Sequence, residues 1–475
     1  MNEAILRLYH RMPPPVRSLA AGVRGLYLRS SRYGAASERT TSEALERDRW
    51  PPHRLKAYQD ERLAMVLHRA ATRVPYYRAQ WELRRRRGDE SAVDVLGNWP
   101  VLEKDSVRAQ PEAFVADDCN LRQMFREHTS GTTGKPLNVW WSRETTQAWY
   151  ALAEARWRSW YGVSRRDRWA ILGGQLVTPV ATKVPPFWVW NAPLRQLYMS
   201  SYHLAPELTA TYLDALVAYR IHYLFGYTSS LYTLAREALR LGRNDIRMAV
   251  VITNAEPALD HQRATISAAF GCPVRETYGM AEIVAALSEC EHGQHHLWPE
   301  AGLVEILAAG HEAEPGQAGD LVATGLLNAD MPLIRYRTGD RAVRADSGPC
   351  PCGRTLPRLA RIEGRIDDLV TTRDGRRIGR LDPVFKEDLP IREAQIIQEQ
   401  LQHFRILCVP APGFGPDVER VLTERLRDRV GDVGVTVERV NEIARSANGK
   451  FRAVICKLSP EDLLSVETDR GPREP

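Results

Sequence analysis

Lysine is scarce in this chain: of 65 Lys and Arg residues only seven are lysine, at positions 56, 104, 135, 183, 386, 450 and 457. Arginine is permanently charged and makes planar, forked contacts, whereas lysine is a compact point charge on a flexible stem. Where arginine is used almost everywhere, each retained lysine is a candidate for a task arginine cannot perform. A GC-rich coding sequence explains the scarcity but not where the survivors stand.

Long apolar runs are missing as well. None approaches the ~20 residues of a membrane helix, and the N-terminus lacks the compact apolar core and cleavage site of a secretory signal. The seven cysteines are an odd number without such a signal, which argues against a disulfide framework and leaves free thiols or a metal site. The net charge of +6 is modest and spread along the chain. Its one tight basic run, Arg84 to Arg87, is followed at once by Asp89 and Glu90, so nucleic-acid binding is not expected. A composition of 44% hydrophobic and 26% charged residues excludes a disordered or fibrous chain. What remains is a cytoplasmic, enzyme-sized globular protein of two or three units at ~150 residues each. There is no internal repeat.

Residues 1–48 read as a basic N-terminal helical segment. Its first 37 residues hold six arginines and no acid after Glu3, with apolar Leu6, Leu19, Val23 and Leu26. Such a segment can lie on an anionic membrane or pack its apolar side on the protein, and peripheral membrane contact is the less favoured reading. A helical pattern follows over about 54–89 and includes Val74-Pro75-Tyr76-Tyr77-Arg78. Trp149, Trp157 and Trp160 recur at helical spacing, which predicts one aromatic, core-facing stripe. The middle alternates strand and helix: Ile221–Phe225, a helix from Thr228 to Gly242, Ala249–Ile252, a helix over 258–270 ending at Gly271, and a strand toward Tyr278. This rhythm predicts parallel sheet with ligands at the strand ends. Segments 302–308 and 319–327 look antiparallel. Beyond about 364, a strand at 404–409, a helix at 416–430 and alternating Val433, Val435 and Val437 predict a small α+β unit. The expected division is a large domain 49–363, a hinge 364–368, a small domain 369–460 and a polar, disordered tail 461–475.

Residues Thr129-Ser130-Gly131-Thr132-Thr133-Gly134-Lys135-Pro136 form a phosphate-cradling loop: glycines let backbone N–H groups approach an anion, while hydroxyls and a lysine add donors. It is not a Walker A loop, because two residues rather than four separate Gly131 and Gly134, and Pro136 stands where that loop needs Ser or Thr.

This loop resembles the phosphate-loop signature of adenylate-forming enzymes, and five further segments follow in that superfamily's order. Asn254-Ala255-Glu256-Pro257 resembles the segment flanking the adenine, and Tyr278-Gly279-Met280-Ala281-Glu282 the YGxTE motif. Tyr336-Arg337-Thr338-Gly339-Asp340 resembles YRTGD, and Gly364-Arg365-Ile366-Asp367-Asp368 the hinge motif. Arg445-Ser446-Ala447-Asn448-Gly449-Lys450 resembles the segment of the catalytic lysine. Within the superfamily the chain is most similar to the phenylacetate–CoA ligase branch and its capsular-polysaccharide-biosynthesis-type relatives. VPYYR at 74–78, Pro100-Val101-Leu102-Glu103-Lys104-Asp105, Phe225-Gly226-Tyr227 and CGRTLPR at 352–358 carry that likeness, which spans roughly residues 50–460.

The resemblance implies an α/β fold with a large multi-sheet adenylating domain and a small mobile α+β lid. It implies ATP-dependent activation of a carboxylic acid as an acyl adenylate, then transfer to coenzyme A or to an amine or hydroxyl. Amide or ester ligation without CoA, in natural-product or polysaccharide biosynthesis, stays open, as does a degenerate nucleotide-binding protein. It assigns the 129–136 loop to the phosphates, Glu282 to Mg²⁺ and catalysis, and Lys450 to the carboxylate oxygen and α-phosphate. Residues 255–257 and 278–281 lie by the nucleotide, Asp340 at the ribose hydroxyls, Arg365 at the phosphate or ribose, and Asp367 at the hinge. Because the lid swings in these enzymes, Lys450 can stand far from the phosphate loop. The Thr that touches the α-phosphate in this superfamily is Ala281 here. Tyr227 is the candidate for the acyl pocket, with packing as the alternative.

Cys290, His296, Cys350 and Cys352 form C-x5-H followed by C-x-C. Soft thiolates plus an imidazole suit a closed, structural Zn²⁺ site, and some relatives carry zinc-type cysteines here. His292 and His295 compete for the histidine position, and four unligated, partly buried side chains are the alternative. Oligomeric state is not legible in the sequence.

Overall fold

Proline spaces the N-terminal helices. α1 (Glu3–Arg11), α2 (Pro14–Arg32), α3 (Ser37–Arg47), α4 (Pro52–Arg73) and α5 (Pro75–Arg86) follow one another, and α2, α4 and α5 each carry proline in the first turn. There its missing N–H costs no intrahelical bond. The single helical pattern over 54–89 is therefore cut in two. Val74, forced out of the α region by Pro75, is extended at φ −96°, ψ 115°. This computed structural model describes residues 3–128, 137–179, 182–204, 206–346, 348–365, 370–373, 377–378, 381–385, 389–445 and 451–459. The phosphate-cradling loop 129–136, Asp367, Lys450 and the tail 461–475 lie outside the described residues.

Two compact units result: residues 1–338 with 342–361, and residues 339–341 with 362–475. After α6 (Lys104–Ala109), the first unit continues with an antiparallel pair, β1 (Phe125–His128) and β2 (Asn138–Trp141), and then α7 (Arg143–Trp157). Ser142 caps α7, its Oγ accepting from the Thr145 N–H at 3.2 Å. The tryptophan stripe holds only in part. Trp149 and Trp157 pack on Trp298, with ring centroids 5.3 and 5.1 Å away. Trp160 is not on their face, because α7 ends at Trp157 and a tight turn over Ser159–Tyr161 redirects the chain.

The alternating middle folds as a parallel sheet. β3 (Trp169–Gly173), β4 (Trp188–Asn191) and β5 (Gln196–Ser200) are followed by α8 (Pro206–Ala218), β6 (Tyr223–Tyr227), α9 (Thr228–Arg240), β7 (Val251–Asn254), α10 (Asp260–Phe270) and β8 (Val274–Gly279). β3 pairs in parallel with β5 and β6, β6 with β7, and β7 with β8. Gly226 lets β6 approach β3 closely: a Cβ there would stand 2.5 Å from the Leu172 carbonyl oxygen. Leu172, Leu197, Leu224, Leu231, Leu234, Val251, Ile266 and Phe270 join sheet and helices in one buried core. α10 stops at Gly271, whose φ of 62° ends the helix in the left-handed region.

Antiparallel strands extend this sheet: β9 (Ala286–Glu289), β10 (His295–Leu297), β11 (Gly302–Ala308), β12 (His311–Glu312), β13 (Ala318–Gly325), β14 (Tyr336–Arg344) and β15 (Arg358–Arg365). Among the described residues the strand order is β12-β11-β13-β14-β15-β10-β9-β8-β7-β6-β3-β5-β4. The antiparallel pairing of β11 with β13 agrees with the sequence pattern.

In the second unit β16 (Val370–Thr371) pairs with β17 (Arg377–Ile378). β18 (Ile391–Gln400) and β19 (His403–Pro410) form a hairpin, α11 (Pro416–Val430) follows, and β20 (Gly434–Arg439) and β21 (Val454–Cys456) complete a sheet of order β20-β19-β18-β21. Ile396, Phe404, Ile406, Leu422 and Leu426 are its buried core. This is the α+β unit the sequence predicts, with α11 spanning the expected residues.

Candidate active site and a buried cysteine cluster

Open parallel sheets bind ligands at the carboxyl ends of their strands, where crossovers leave a crevice. Here β6, β7 and β8 end in register, Tyr227 opposite Asn254 and Asn254 opposite Thr277. Tyr227, the segment Asn254–Pro257 and the segment Tyr278–Glu282 thus emerge side by side. Two non-glycine residues in the loops after β7 and β8 adopt left-handed backbone, Ala255 (φ 63°) and Ile283 (φ 46°). Such strain persists only where the surroundings over-determine it, and it gathers at functional sites. Among the described residues the side-chain oxygen of Asn254 is buried without a hydrogen-bond partner.

Glu256 is held at the start of α9. Its carboxylate accepts from the Ser229 N–H at 2.7 Å and the Ser229 hydroxyl at 3.1 Å, while the Thr228 hydroxyl donates to its carbonyl at 2.9 Å. A carboxylate there complements the positive end of α9 and locks the β7 loop to that helix.

Glu282 is buried, and among the described residues two groups meet its Oε1: the Lys104 ammonium at 3.2 Å and the Tyr336 hydroxyl at 2.9 Å. The segment before α6 is laid along β14, with Leu102 N–H donating to the Arg335 carbonyl and Arg337 N–H to the Leu102 carbonyl. That pairing delivers Lys104 to Glu282. Neither Lys104 nor Tyr336 is singled out as a site residue by sequence reasoning, although the scarcity of lysine is a signal for the former. Mg²⁺ is commonly held by one or two carboxylates plus substrate phosphates, a role the chemistry of Glu282 would fit. Ala281 follows β8 with its carbonyl accepting from the Trp141 indole at 3.0 Å.

Tyr227 is half-buried, and burial raises its hydroxyl above the ordinary tyrosine range. Tyr198 and Tyr202 stand near it, the Tyr198 hydroxyl accepting from Gln175 N–H at 3.3 Å and the Tyr202 hydroxyl donating to the Gly174 carbonyl at 3.1 Å. The sequence offers no pattern that marks these two. In the second unit Asp340 lies on β14 after Gly339 (φ 84°), and the backbone of Arg365 ends β15.

Away from these strand ends, four side chains converge. β9 and β10 form a hairpin in which His296 opposes Ser288, and Cys290 lies two residues beyond Ser288 and so on the same face. A tight turn closes it, Cys290 N–H donating to the Gln294 carbonyl at 2.9 Å. The loop before β15 brings Cys350 and Cys352. The Cys290 and Cys350 sulfurs are 3.8 Å apart, the Cys352 sulfur is 3.4 Å from His296 Nε2, and one ligand atom from each of the four lies within 4.8 Å of the others. All four side chains are buried. His292 is exposed, and His295 on the opposite face stands 3.8 Å from Glu276, so His296 is the histidine of this cluster.

Burial pushes the Cys290 thiol up to about 12 and the His296 imidazolium down to about 4. Burial also opposes a thiolate at Cys352, yet the Arg354 backbone N–H at 3.4 Å and its guanidinium outweigh that and bring Cys352 below the ordinary thiol value. Trp160 stands edge-on to His296 at 5.8 Å and donates to Asp48 at 2.7 Å, covering the cluster. Four soft or borderline donors in a closed, buried tetrad fit a structural Zn²⁺ ion.

Comparisons with known proteins agree with this architecture. Residues 370–457 match the CapK C-terminal domain. Protein CapK of Staphylococcus aureus is 24% identical over 377 residues, covering 78% of this chain and 82% of that protein. Phenylacetate-coenzyme A ligase of Thermus thermophilus is 27% identical over 346 residues, covering 68% and 73%. The crystal structure of 2-hydroxyisobutyryl-CoA ligase in the postadenylation state, in complex with R3-HIB-AMP, matches with a TM-score of 0.66 at 23% identity, over 89% of this chain and 93% of that one. The chain is thus a sequence relative of CapK and of phenylacetate-CoA ligases, and it has the fold of an adenylate-forming CoA ligase.

Proposed function

We propose that this chain activates a carboxylic acid with ATP, forming an acyl adenylate and releasing pyrophosphate. The acyl group then passes to coenzyme A or to an amine or hydroxyl acceptor. One observation supports the reading: three adjacent parallel strands end in register, so that Tyr227, Asn254–Pro257 and Tyr278–Glu282 follow side by side at their carboxyl ends. Similarity to phenylacetate-coenzyme A ligase supports CoA as the acceptor.

Carboxylate activation joins a poor electrophile to AMP, so the protein's work is positioning and charge neutralisation. In this reading the loops after β7 and β8 hold the nucleotide, with Tyr278 beside the base and the unused Asn254 oxygen facing an amine donor. Loop 129–136 grips the β- and γ-phosphates, Asp340 accepts from the ribose hydroxyls, and Arg365 meets phosphate or ribose. Lys450 reaches the carboxylate oxygen and the α-phosphate, where it stabilises the charge that develops. Glu282 is the carboxylate that would hold Mg²⁺, whose charge would offset that of the pyrophosphate. The small domain 369–460 swings about Asp367 between the two half-reactions. Tyr227, with Tyr198 and Tyr202, gives the acyl pocket an aromatic wall suited to an aromatic or otherwise apolar acid. Cys290, His296, Cys350 and Cys352 hold a structural zinc that fixes the β9–β10 hairpin to the loop before β15.

Exchange of labelled pyrophosphate into ATP, measured over a broad panel of carboxylic acids, tests the reading. Acid-dependent exchange that Lys450→Ala abolishes is the expected result. ATP binding without exchange on any acid would leave a nucleotide-binding protein that has lost turnover, a reading that Ala281 in place of the superfamily's Thr favours.

A further inference from the structure

The N-terminal helices turn one face inward and leave the other in water. Tyr9 donates to the Val177 carbonyl at 3.2 Å, His10 lies 2.8 Å from the Leu176 carbonyl, and Arg17 reaches Val177 and the Thr178 hydroxyl. Gly25 is buried so tightly against Asn191 that a Cβ would collide with its side chain. That face of α2 is therefore fixed to the body of the first unit.

The opposite face is apolar and exposed. Val16, Leu19, Val23, Leu26 and Tyr27 recur at the helical period along α2, with Leu19 69%, Val23 63% and Leu26 60% exposed, and Ile5 and Leu8 of α1 are exposed as well. At ~100° per residue, Arg24 and Arg29 fall one on each side of this stripe. Both are exposed, as is Arg11. Between Glu3 and Glu38 there are six arginines and no acid. Beside the C-terminal end of the stripe lies an open recess of about 360 Å³ lined by Leu26, Arg29, Ser30, Tyr33, Gly34 and Arg165.

We propose that α1 and α2 form a docking surface for an anionic lipid bilayer. Lengthwise contact fits a stripe of large apolar side chains flanked by arginine, which enters the acyl boundary while the guanidinium groups meet lipid phosphates. The recess beside Arg29 and Arg165 suits one headgroup phosphate. The contact is peripheral, since among the described residues no helix is long and apolar enough to cross a membrane. Charge argues against a second copy as the occupant: a dimer through this face would oppose two arginine sets, with Glu3 the one acid in either segment to offset them. The proposal is independent of the adenylating activity.

Sedimentation of the full chain with vesicles tests it, using phosphatidylcholine alone and phosphatidylcholine with a minority of phosphatidylglycerol. Binding to the anionic vesicles only, weakened by added salt, is expected. Leu19→Glu/Val23→Glu/Leu26→Glu should abolish binding, and Arg24→Glu/Arg29→Glu should weaken it at least about tenfold. Both variants change exposed positions, and circular dichroism should show them folded. Failure to bind, equal binding to neutral vesicles, or unchanged binding by the folded triple-Glu variant would each overturn the proposal. A parent dimer in solution that this variant converts to monomer would overturn it too.

Discussion

The ammonium of Lys104 stands 3.2 Å from Oε1 of Glu282, across 178 residues of sequence, and the Tyr336 hydroxyl meets the same oxygen. A buried carboxylate without a counter-charge is costly, and Lys104 supplies that charge from a partly exposed position. Lys104→Met should therefore destabilise the protein, and the loss should shrink once Glu282→Gln removes the charge. A double-mutant cycle in urea unfolding should show coupling of about 1–3 kcal/mol. Additive effects would mean that the two groups ignore each other. Glu282→Gln alone should lower pyrophosphate exchange by ~10²–10³ while ATP binding survives.

Ala281 follows β8 with its carbonyl held by Trp141, so a larger side chain there changes what the crevice offers without releasing the backbone. If the missing hydroxyl limits adenylation, Ala281→Thr should raise the exchange rate about fivefold, the worth of one ~1 kcal/mol hydrogen bond. Steady-state exchange at saturating acid measures this directly. An unchanged or lower rate would show that the contact has been reassigned to a neighbour.

The cysteine cluster predicts about one zinc per chain in purified protein. Cys352→Ser should release most of it, and a chelator should lower the thermal stability of the parent but hardly that of the variant. Cys272→Ser is the control, since this buried thiol lies in the core beside Phe270 and Val274, outside the cluster. Equal zinc content in parent and Cys352→Ser would remove the metal from the argument.

What could be read in advance follows physical range. Strand and helix alternate legibly from Ile221 to Tyr278 because each segment carries its own signal: a short apolar run, a 3.6-residue period, a glycine stop such as Gly271. Cys290, Cys350 and Cys352 were legible as soft ligands beside a histidine, but only the fold separates His296 from His292 and His295. The cut at Val74 was written in Pro75, yet apolar periodicity continued through it, since proline is tolerated in a first turn. Other features depend on chain segments meeting in space. That Lys104 meets Glu282, or that Glu256 accepts from Ser229 at the start of α9, is decided by strand pairing between distant segments. The outward face of α2 was beyond reach for the same reason: periodicity shows an apolar stripe but not which side the body covers.

Arg156 tests how far the first unit depends on buried charge. Its guanidinium is fully buried, with Nε 2.8 Å from Asp48 and a terminal nitrogen 2.6 Å from Glu300. Burial lifts Asp48 above the ordinary carboxylate range despite Arg156. At Glu300 burial pushes the same way, but Arg156 and Arg47 outweigh it and hold that carboxyl low. Arg156→Met removes the counter-charge that two buried carboxylates share, leaving Glu300 with Arg47 and Asp48 with the Trp160 indole, and should cost about 3–5 kcal/mol. The sign of the pH effect follows. Removing Arg156 takes away a charge that lowers both groups, so both folded values should rise and the folded state should bind more protons than it does in the parent. A raised folded value gives stability at low pH that is lost as pH climbs through it. Arg156→Met should thus lose stability more steeply than the parent as pH rises above the ordinary carboxylate range. Adding Asp48→Asn and Glu300→Gln should remove that slope and restore part of the loss. Urea unfolding of the three proteins across pH decides it, and parallel profiles would show that the network carries no net charge coupling.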